Sequence, residues 1–470
     1  MHLQRVQVPN FRALKNIDIT FEKERIPRIF PLASLNGGGK STLLQLIFTL
    51  LTCSADPDKH EFLVNLLKDF EIDYESVSTL ARIELFDGNS SVILEFSCHN
   101  TCLLVDQLLP SDENNVLKEF GFIKCLETVE YLKKEIQLLE IKEKEIELEK
   151  LRAEKESVSV LGSFKMPTTL LNIQEGQKSL VSKACDLQLQ QIKSIIKSKR
   201  DGIDYFIDAQ NSREEILEQL LSNNTHYICS YRLNDDCDEI NILCHISGSN
   251  TNTDILKEVS KKIFLAAPAS QVFLFFNRQE IDCLFGNRTS GETYEHIVQE
   301  NQDRLSGFFL HDFSTIRILA KAFEQAKEND WQQAIQTRGQ YGTEYARISR
   351  DLEHVFSGKI IEPLKDLSGI IIKTIENGKE RILHPEDLSH GELRRLTFYA
   401  WLRTKEIQDS IVLVDEIEIG LHPDWQYQIV KDLEEWAPSN QYILATHSYE
   451  ICSALTPAHV KEIEPKLVKP

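Results

Sequence analysis

A glycine-rich segment between an apolar run and an apolar helix constrains this chain more than any other feature. Residues 34–42 read SLNGGGKST, after a mostly apolar run over 28–33 and before leucine-rich, helical composition over 43–51. Glycines let backbone N–H groups turn inward around a phosphate, and the N-terminus of the following helix adds free N–H groups and a positive dipole end. The segment therefore predicts a strand, a phosphate-binding turn and a helix, in that order.

The side chains of this segment have separate expected roles. The pattern GxxxxGK[ST] is matched, except that Ser34 replaces the first glycine. We expect Lys40 to reach the β- and γ-phosphate oxygens of a nucleotide and the Ser41 hydroxyl to ligate Mg²⁺. Pro31 is unexpected in the preceding strand, because it cannot donate a ladder hydrogen bond. The other residues expected to bind the nucleotide are Asn36, Gly37, Gly38, Gly39 and Thr42.

A second apolar strand, far along the chain, ends in two carboxylates. Residues 411–414 read IVLV, which is typical of a strand buried on both faces, and Asp415 and Glu416 follow. Asp415 is expected to hold Mg²⁺, and Glu416 to orient an attacking water. In isolation such a run more often ends in a solvated acidic turn. The interpretation as a magnesium site therefore depends on the phosphate-binding segment in the same chain.

Two further polar segments complete the set. Residues 442–445 read YILA and lead into Thr446, His447 and Ser448, where His447 is placed to donate a hydrogen bond to a γ-phosphate. Residues 388–392 read LSHGE just before a helical run, and a Ser-x-Gly turn at a helix N-terminus is an anion site. Ser389 and Gly391 have no evident phosphate in their own subunit, so we expect them to face the nucleotide of a second subunit.

The charge of the chain narrows the classes of partner. It carries 53 basic and 73 acidic residues, a formal net charge of −20, so a uniform nucleic-acid binder is disfavoured. The acidic run over 235–239 favours a solvated hairpin turn. A local basic patch stays open, and its candidate clusters are Lys193, Lys197, Lys199 and Arg200, and Arg394 with Arg395.

Composition also bears on the compartment. The longest apolar runs are short and interrupted, so we expect no membrane span, and the N-terminus has no apolar signal region. The ten cysteines include no CxxC pair, which favours free thiols in a reducing compartment. A cytoplasmic location is the resulting expectation.

The middle of the chain predicts a helical insertion. Residues 126–158 are rich in Glu, Lys, Leu and Ile, and leucine and isoleucine fall on 3–4 spacing, but Glu143 and Lys150 stand where the seam would continue. A short antiparallel coiled coil and an ordinary helical lobe fit equally well. The returning helix would use Leu180, Ala184, Leu187, Ile192 and Ile196. Strands are expected to resume over 227–231, 240–246 and 271–276.

In the order GGGKST, LSHGE, IVLVDE and THS, these motifs resemble the ABC-type ATPase heads of the SMC, RecF and OLD-like group. The segment Asn10-Phe11-Arg12 and residues 420–423, GLHP, in the D-loop place add to the resemblance. It implies an α/β fold, a P-loop NTPase head with a mixed sheet, split by a largely helical insertion. The expected parts are 1–115 (head with P-loop), 116–225 (insertion), 226–345 (continuation of the head and a second helical part) and 346–470 (remainder of the head).

The resemblance also implies how the motifs work together. In this family two heads sandwich two ATP molecules, so Ser389 and Gly391 would contact the γ-phosphate across the interface. Glu416 would be the catalytic base and His447 the switch, with ATP and Mg²⁺ as cofactors and ADP and phosphate as products. The Q-loop glutamine of the family is not assigned from the sequence.

The sequence after His447 holds no counterpart of the Toprim nuclease domain of OLD-type proteins, so no nuclease activity of its own is expected. A compact ATPase of this kind resembles the PtuA-type ATPases of Septu and of some retron antiphage systems, which work with an HNH nuclease. That resemblance implies a slowly hydrolysing ATPase that forms dimers or higher oligomers and regulates such a nuclease. The alternatives are a RecF/SMC-like ATPase in DNA repair or DNA binding, and a scaffold that binds nucleotide for structure alone.

Overall fold

Two six-stranded sheets, one parallel and one antiparallel, organise the head of this protein. The computed structural model describes residues 1–35, 37–67, 70, 76–109, 116–159, 168–232, 239–248, 254–275, 294–311, 315–356, 358–364, 369–376, 379–384 and 387–463. The strands are β1 (His2–Phe11), β2 (Leu14–Thr20), β3 (Ile29–Ala33), β4 (Ser78–Phe86), β5 (Ser91–Asn100), β6 (Thr225–Tyr231), β7 (Ile240–Gly248), β8 (Ile263–Ala267), β9 (Phe308–Leu310), β10 (Lys359–Pro363), β11 (Ile370–Glu376), β12 (Lys379–Leu383), β13 (Ile411–Asp415), β14 (Gln441–Ala445) and β15 (Lys461–Glu462). The α-helices are α1 (Lys40–Cys53), α2 (His60–Leu67), α3 (Thr101–Leu108), α4 (Val116–Ser159), α5 (Thr168–Ser222), α6 (Asp254–Ser260), α7 (Tyr294–Arg304), α8 (Thr315–Thr337), α9 (Glu344–Val355), α10 (His390–Thr404), α11 (Pro423–Trp436) and α12 (Tyr449–Ser453).

The parallel sheet has the strand order β15-β3-β14-β13-β8-β9. Every residue of β13 and of β14 is buried, as expected for strands covered on both faces. Helix α1 shares one hydrophobic cluster with both six-stranded sheets, and a second cluster on the other face of the parallel sheet holds α8 to α11. Because parallel strands end at a common edge, the loops after β3, β13 and β14 meet there.

Pro31 fits into β3 because its missing N–H faces the short edge strand. The carbonyl of Arg28, just before β3, accepts from the N–H of Tyr442 in β14, whereas the carbonyl of Ala33 accepts from the N–H of Ile463 beyond β15. Successive residues of a strand bond to alternate sides, so Pro31 faces the same side as Ala33. Pairing with β15 starts only after Pro31, so the proline costs the ladder to β14 no hydrogen bond.

The antiparallel sheet has the order β2-β1-β4-β5-β7-β6. Strands β4 and β5 form a hairpin, as the turn sequence Asp87-Gly88-Asn89 between two apolar runs predicts, and Asp87 Oδ1 accepts from the backbone N–H groups of Asn89 and Ser90 at 2.7 Å each. A third sheet, β10-β11-β12, precedes residues 388–392, LSHGE, which form the signature segment of the ABC-type resemblance. The predicted α/β head split by a helical insertion is thus confirmed, with its strands divided between a parallel and an antiparallel sheet.

The strand predicted over 271–276 is wrong. The strand that joins the parallel sheet is β8, and residues Ala269–Phe275 form a 3₁₀ helix, while residue 276 lies outside the described residues. Pro268 follows β8 directly and ends the strand. Phe275 packs in the core instead, since its ring centroid lies 4.6 Å from that of Phe308.

The insertion is an arm of two antiparallel helices, α4 and α5. Its seam on α4 includes Val129, Leu132, Ile136, Leu139 and Ile146, and on α5 Cys185, Leu189, Ile192 and Ile196. The returning helix is confirmed, but Ala184 and Leu187 are exposed and do not lie in the seam; Leu187 lies five residues before Ile192, outside the heptad phase. The Leu180 side chain lies outside the described part of the structure.

The two charged residues that interrupted the predicted seam are part of it. Glu143 pairs with Lys193 across the arm at 3.4 Å, and Lys150 pairs with Asp186 at 2.6 Å. Both are half-buried at the positions that continue the 3–4 spacing. The coiled-coil pattern therefore continues through ion pairs where the apolar pattern stops.

A buried carboxylate anchors the base of this arm. Gly121 interrupts α4 with φ 73°, and Glu239 Oε1 and Oε2 accept from the N–H groups of Phe122 and Ile123 at 2.7 and 2.8 Å. Arg232 donates to the same carboxylate at 3.1 Å, while burial raises the Glu239 pKa. The solvated turn predicted for the acidic run is thus wrong for Glu239; residues 235–238 lie outside the described residues.

Within the described ranges, no helix is long and apolar enough to cross a membrane. Cys53, Cys98, Cys125, Cys185, Cys229, Cys244 and Cys452 are free thiols.

We predict that Gly121→Ala lowers the free energy of unfolding by about 2–4 kcal/mol, because the new Cβ needs a left-handed backbone and would lie 2.8 Å from Glu239 Oε2. Gly202→Ala is the matched control within α5. Its Cβ would meet only Leu132 Cδ1 at 3.7 Å, so we expect no loss and up to about 1 kcal/mol of gain. Urea unfolding of both variants checks this, and equal effects would contradict the anchor.

Candidate functional site

Three loops meet at the carboxyl edge of the parallel sheet. The Ser41 hydroxyl, in the first turn of α1, donates a 2.9 Å hydrogen bond to Oδ1 of Asp415 at the end of β13. Lys40 Nζ lies 3.5 Å from Nδ1 of His447, which follows β14. Residues that the sequence analysis assigned to one nucleotide site from separate segments therefore lie together.

The glycine-rich loop is shaped by what surrounds each glycine. A Cβ on Gly38 would lie 2.7 Å from Cβ of Ser34, and one on Gly39, at φ 89°, would lie 2.6 Å from Leu14 Cδ2. Gly37 also has a positive φ, of 80°. Thr42 is half-buried in the first turn of α1, and Asn36 lies outside the described residues. The loop thus requires glycine at 37 for its backbone, at 38 for space and at 39 for both reasons.

Ser34 takes the place of the usual glycine without strain on its own backbone. Lys40 Nζ donates to the Ser34 carbonyl at 3.0 Å and to its hydroxyl at 3.1 Å. The hydroxyl in turn donates to the carbonyl of Leu35 at 3.0 Å. Lys40 is therefore held over the loop, at the place where phosphate oxygens bind in a site of this kind.

Asp415 is the most perturbed acid of the site. Burial raises its pKa to about 7, and the nearby carboxylates of Glu416 and Glu418 act in the same direction, against the hydrogen bond from Ser41. Its second oxygen, Oδ2, is buried and accepts no hydrogen bond from any described residue. An orphaned carboxylate oxygen beside a hydroxyl is a donor set that suits Mg²⁺.

The turn after Asp415 carries two more acids. Glu416 is half-buried, and its N–H donates to the carbonyl of Ala445 at 2.9 Å. Glu418 Oε1 accepts from the backbone N–H of His447 at 2.6 Å. The sequence analysis missed Glu418; its signal was a second carboxylate two residues after the first pair.

A glutamine that the sequence left unassigned lies near α1. Gln271, in the 3₁₀ segment after β8, accepts a hydrogen bond from Gln45. Gln45 lies one turn after Ser41 on α1, so Gln271 is placed beside the helix that begins at the phosphate-binding loop.

The signature segment begins α10 at the surface. Ser389 is exposed and caps the helix, accepting from the N–H of Glu392 at 3.3 Å, while Glu392 accepts from the N–H of Ser389 at 3.0 Å. A Cβ on Gly391 would lie 2.6 Å from Trp425 Cε3, so glycine is needed for α10 to pack on α11. The Ser389 side chain therefore faces solvent, whereas the first turn of α10 is fixed by its packing on α11.

Most members of the two candidate basic clusters lie beside acidic side chains. Arg394 and Arg395 are buried, and Arg395 pairs with Asp432 at 2.7 Å. On the arm, Lys193 and Arg200 pair with Glu143 and Glu140, and Lys199 pairs with Glu135. Ion pairs with acids on neighbouring elements thus reduce the positive charge that Lys193, Lys199, Arg200 and Arg395 could offer to a phosphate, while Lys197 is exposed on α5.

We predict that Asp415→Asn stabilises the metal-free protein at pH 8. The folded pKa of Asp415 lies near 7 and the unfolded one near 4, so the folded state keeps a proton between these values and holds a costly charge above them. The gain at pH 8 should reach about 2–4 kcal/mol and shrink as pH falls toward 4. Urea unfolding in EDTA measures it.

The exposed Asp424→Asn is the matched control and should change the free energy of unfolding by less than about 0.5 kcal/mol at either pH. Mg²⁺ should stabilise the wild type and not Asp415→Asn. A gain that does not change with pH would contradict the raised pKa.

Among solved structures, two SMC head domains match this chain at low identity and low TM-score. The "Smc head domain with an extended coiled coil bound to the C-terminal domain of ScpA derived from Pyrococcus furiosus" matches at 11% identity with a TM-score of 0.32, covering 96% of this chain and 91% of that one. The "SmcHead bound to the C-winged helix domain of ScpA" matches at 11% identity and a TM-score of 0.34, covering 97% and 92%.

Two curated relatives match a short stretch of sequence. "Retron Vc95 probable ATPase" of Vibrio cholerae serotype O1 biovar El Tor is 47% identical over 54 residues, 12% of this chain and 10% of the relative. "Retron Ec83 probable ATPase" of Escherichia coli is 44% identical over 46 residues, 10% of this chain and 8% of the relative. The chain thus matches about a tenth of the length of either relative.

A family model described as "AAA domain, putative AbiEii toxin, Type IV TA system" matches residues 197–453. That span is more than half of the chain, and it contains the signature, β13 with its two acids, and His447. The glycine-rich loop lies outside the span and meets it in space through the contacts of Lys40 and Ser41. The chain belongs to this family of AAA domains.

Proposed function

We propose that this protein binds ATP with Mg²⁺ and hydrolyses it slowly to ADP and phosphate. The observation that carries the proposal is the 2.9 Å hydrogen bond from Ser41 to Asp415, which joins the phosphate-binding loop to the acidic end of β13. Those two side chains, with Lys40 and His447 alongside, are the set that phosphoryl transfer to water requires. The match to an AAA domain family supports the same activity.

Each residue has a distinct role in this mechanism. Lys40 and the N–H groups of the loop would bind the β- and γ-phosphates, and His447 would contact the γ-phosphate. Ser41 and Asp415 would hold Mg²⁺, which when bound neutralises charge on the phosphates. Glu416 would accept the proton of the attacking water. No cluster of three His, Cys, Asp or Glu side chains suited to a metal occurs among the described residues, so phosphate and water would fill the remaining ligand positions.

The active assembly is proposed to contain at least two copies. Ser389 and Gly391 would complete the nucleotide site of a second copy, since Ser389 is exposed and its hydrogen bonds stay within its own turn among the described residues. Large apolar side chains on the three loops of the site are also exposed: Leu35 by 70%, Ile419 by 48% and Tyr449 by 79%. Apolar side chains exposed around a polar site favour a face that a partner covers.

The biological setting is proposed to be antiphage defence, in the cytoplasm, with regulation of a separate HNH nuclease. The two curated relatives are named as retron ATPases, which supports a defence setting. ATP would then act as a ligand that favours one assembly state of the complex.

A RecF/SMC-like role in DNA repair is the second candidate. It needs a local basic patch that binds the phosphates of DNA, because the net charge of −20 repels them. The ion pairing of Lys193, Lys199 and Arg200 within the arm favours the first candidate. DNA affinity that falls steeply with salt, with no response of a neighbouring nuclease to ATP, would favour the second.

We predict that Lys40→Ala lowers ATP affinity at least about 100-fold, because the ammonium group that faces the phosphates is lost. Glu416→Gln should keep ATP affinity within about 3-fold and lower phosphate release about 100-fold or more. Calorimetry and a phosphate-release assay measure the two. Unchanged affinity in Lys40→Ala would remove the phosphate-binding assignment, and an unchanged rate in Glu416→Gln would exclude it as the base.

We predict that Lys40→Ala and Ser389→Ala, each inactive alone, regain activity when mixed. A mixed dimer combines one intact loop with one intact signature, so about half of the sites in such dimers would be complete. Two affinity tags isolate the mixed species before the assay. Ser439→Ala is the matched control for serine loss, and it should stay active alone because Ser439 lies at the other end of the sheet, before β14. Purified mixed dimers without activity would contradict action across the interface.

A further inference from the structure

A buried histidine–arginine pair lies behind the acidic turn that ends β13. His311 follows β9, and only 2% of its surface is exposed. Its Nε2 lies 2.9 Å from the carbonyl oxygen of Asp415, and its Nδ1 is hydrogen-bonded to Nη1 of Arg394. A carbonyl only accepts and a guanidinium only donates, so the proton of the ring is on Nε2 and Nδ1 accepts from Arg394.

The turn that this pair contacts is unfavourable by itself. Glu416 has φ 53°, in the left-handed region that a glutamate seldom adopts. Its N–H donates to Ala445, and its carbonyl oxygen lies 3.4 Å from Nη2 of Arg394. With the bond from His311 to the Asp415 carbonyl, three hydrogen bonds fix the two residues of the turn. Such a conformation persists only where surrounding contacts hold it in place. Here two of the three hydrogen bonds are donated by side chains, those of His311 and Arg394.

We infer that His311 and Arg394 are positioning residues that hold Glu416 in its left-handed turn, so that its carboxylate points at the water beside the γ-phosphate. The inference rests on the proposed function, because it needs Glu416 to act on water. Neither residue would touch the nucleotide; both act through backbone carbonyls. Arg394 lies on α10, five residues after Ser389, so the same bond also joins the acidic turn to the helix that the signature begins.

The first test replaces the histidine with a ring of similar shape that cannot donate. We expect His311→Phe to lower kcat about 10- to 100-fold, a part of the 10²–10⁴-fold that a positioned base contributes. The KM for ATP should stay within about 3-fold, since the phosphate-binding loop is unaltered. His311→Gln, whose amide N–H can reach the Asp415 carbonyl, should restore kcat to within about 5-fold of the wild type.

A matched control separates this effect from the loss of any buried histidine. His99 lies in β5 of the antiparallel sheet and is also buried. His99→Phe should leave kcat within about 2-fold of the wild type, whatever it does to the midpoint of thermal unfolding. Arg394→Lys keeps the positive charge but loses the several N–H donors of the guanidinium, so it should lower kcat in the same way as His311→Phe. It replaces His311→Phe in the test if that variant does not fold.

The second test is a double-mutant cycle with Glu416→Gln. If His311 acts through Glu416, then adding His311→Phe or Arg394→Lys to Glu416→Gln should change the residual rate less than about 2-fold. Single-variant losses that multiply in the double variant would overturn the inference, as would a folded His311→Phe with a wild-type kcat. If Glu416→Gln has a low kcat and His311→Phe has the wild-type kcat, the inference about His311 is wrong but the proposed role of Glu416 stands. A wild-type rate in Glu416→Gln removes the proposed base as well.

Discussion

Parallel pairing of β14 with β3 on one side and with β13 on the other is the constraint on which the site depends. Ala445 lies opposite Leu32 in β3 and opposite Asp415 in β13. That register brings the three following loops to the same level, so Ser41 can reach Asp415 and Lys40 can approach His447. A shift of two residues in either pair would move one loop by about 7 Å and separate those side chains.

The site combines several features that cost stability in the absence of a ligand. Asp415 is buried beside two other carboxylates, one of its oxygens accepts no hydrogen bond among the described residues, and Glu416 adopts a left-handed backbone. A divalent cation between Asp415 and Ser41 would offset the first two, because it replaces the solvation that burial removes. Binding energy and folding energy are therefore coupled at this edge of the sheet.

The sequence predicted what depends on local chemistry. The spacing of the glycines, Lys40 and Ser41 predicts the phosphate-binding loop. The uninterrupted apolar runs before Asp415 and His447 predict the two strands. Side-chain contacts between segments far apart in the chain could not be predicted from the sequence. Nothing near Glu239 indicates that it caps a helix more than a hundred residues earlier, and nothing near His311 indicates that it contacts Asp415.

The arm also has a register, and its ion pairs determine it. Glu143 opposite Lys193 and Lys150 opposite Asp186 define how α4 lies along α5. A slip of one heptad in one direction would bring Lys150 opposite Lys193, and in the other direction Glu143 opposite Asp186. Apolar seam residues would tolerate either slip, whereas the like-charged pairs that result would oppose both. The charge pattern of the arm therefore resists sliding of one helix along the other.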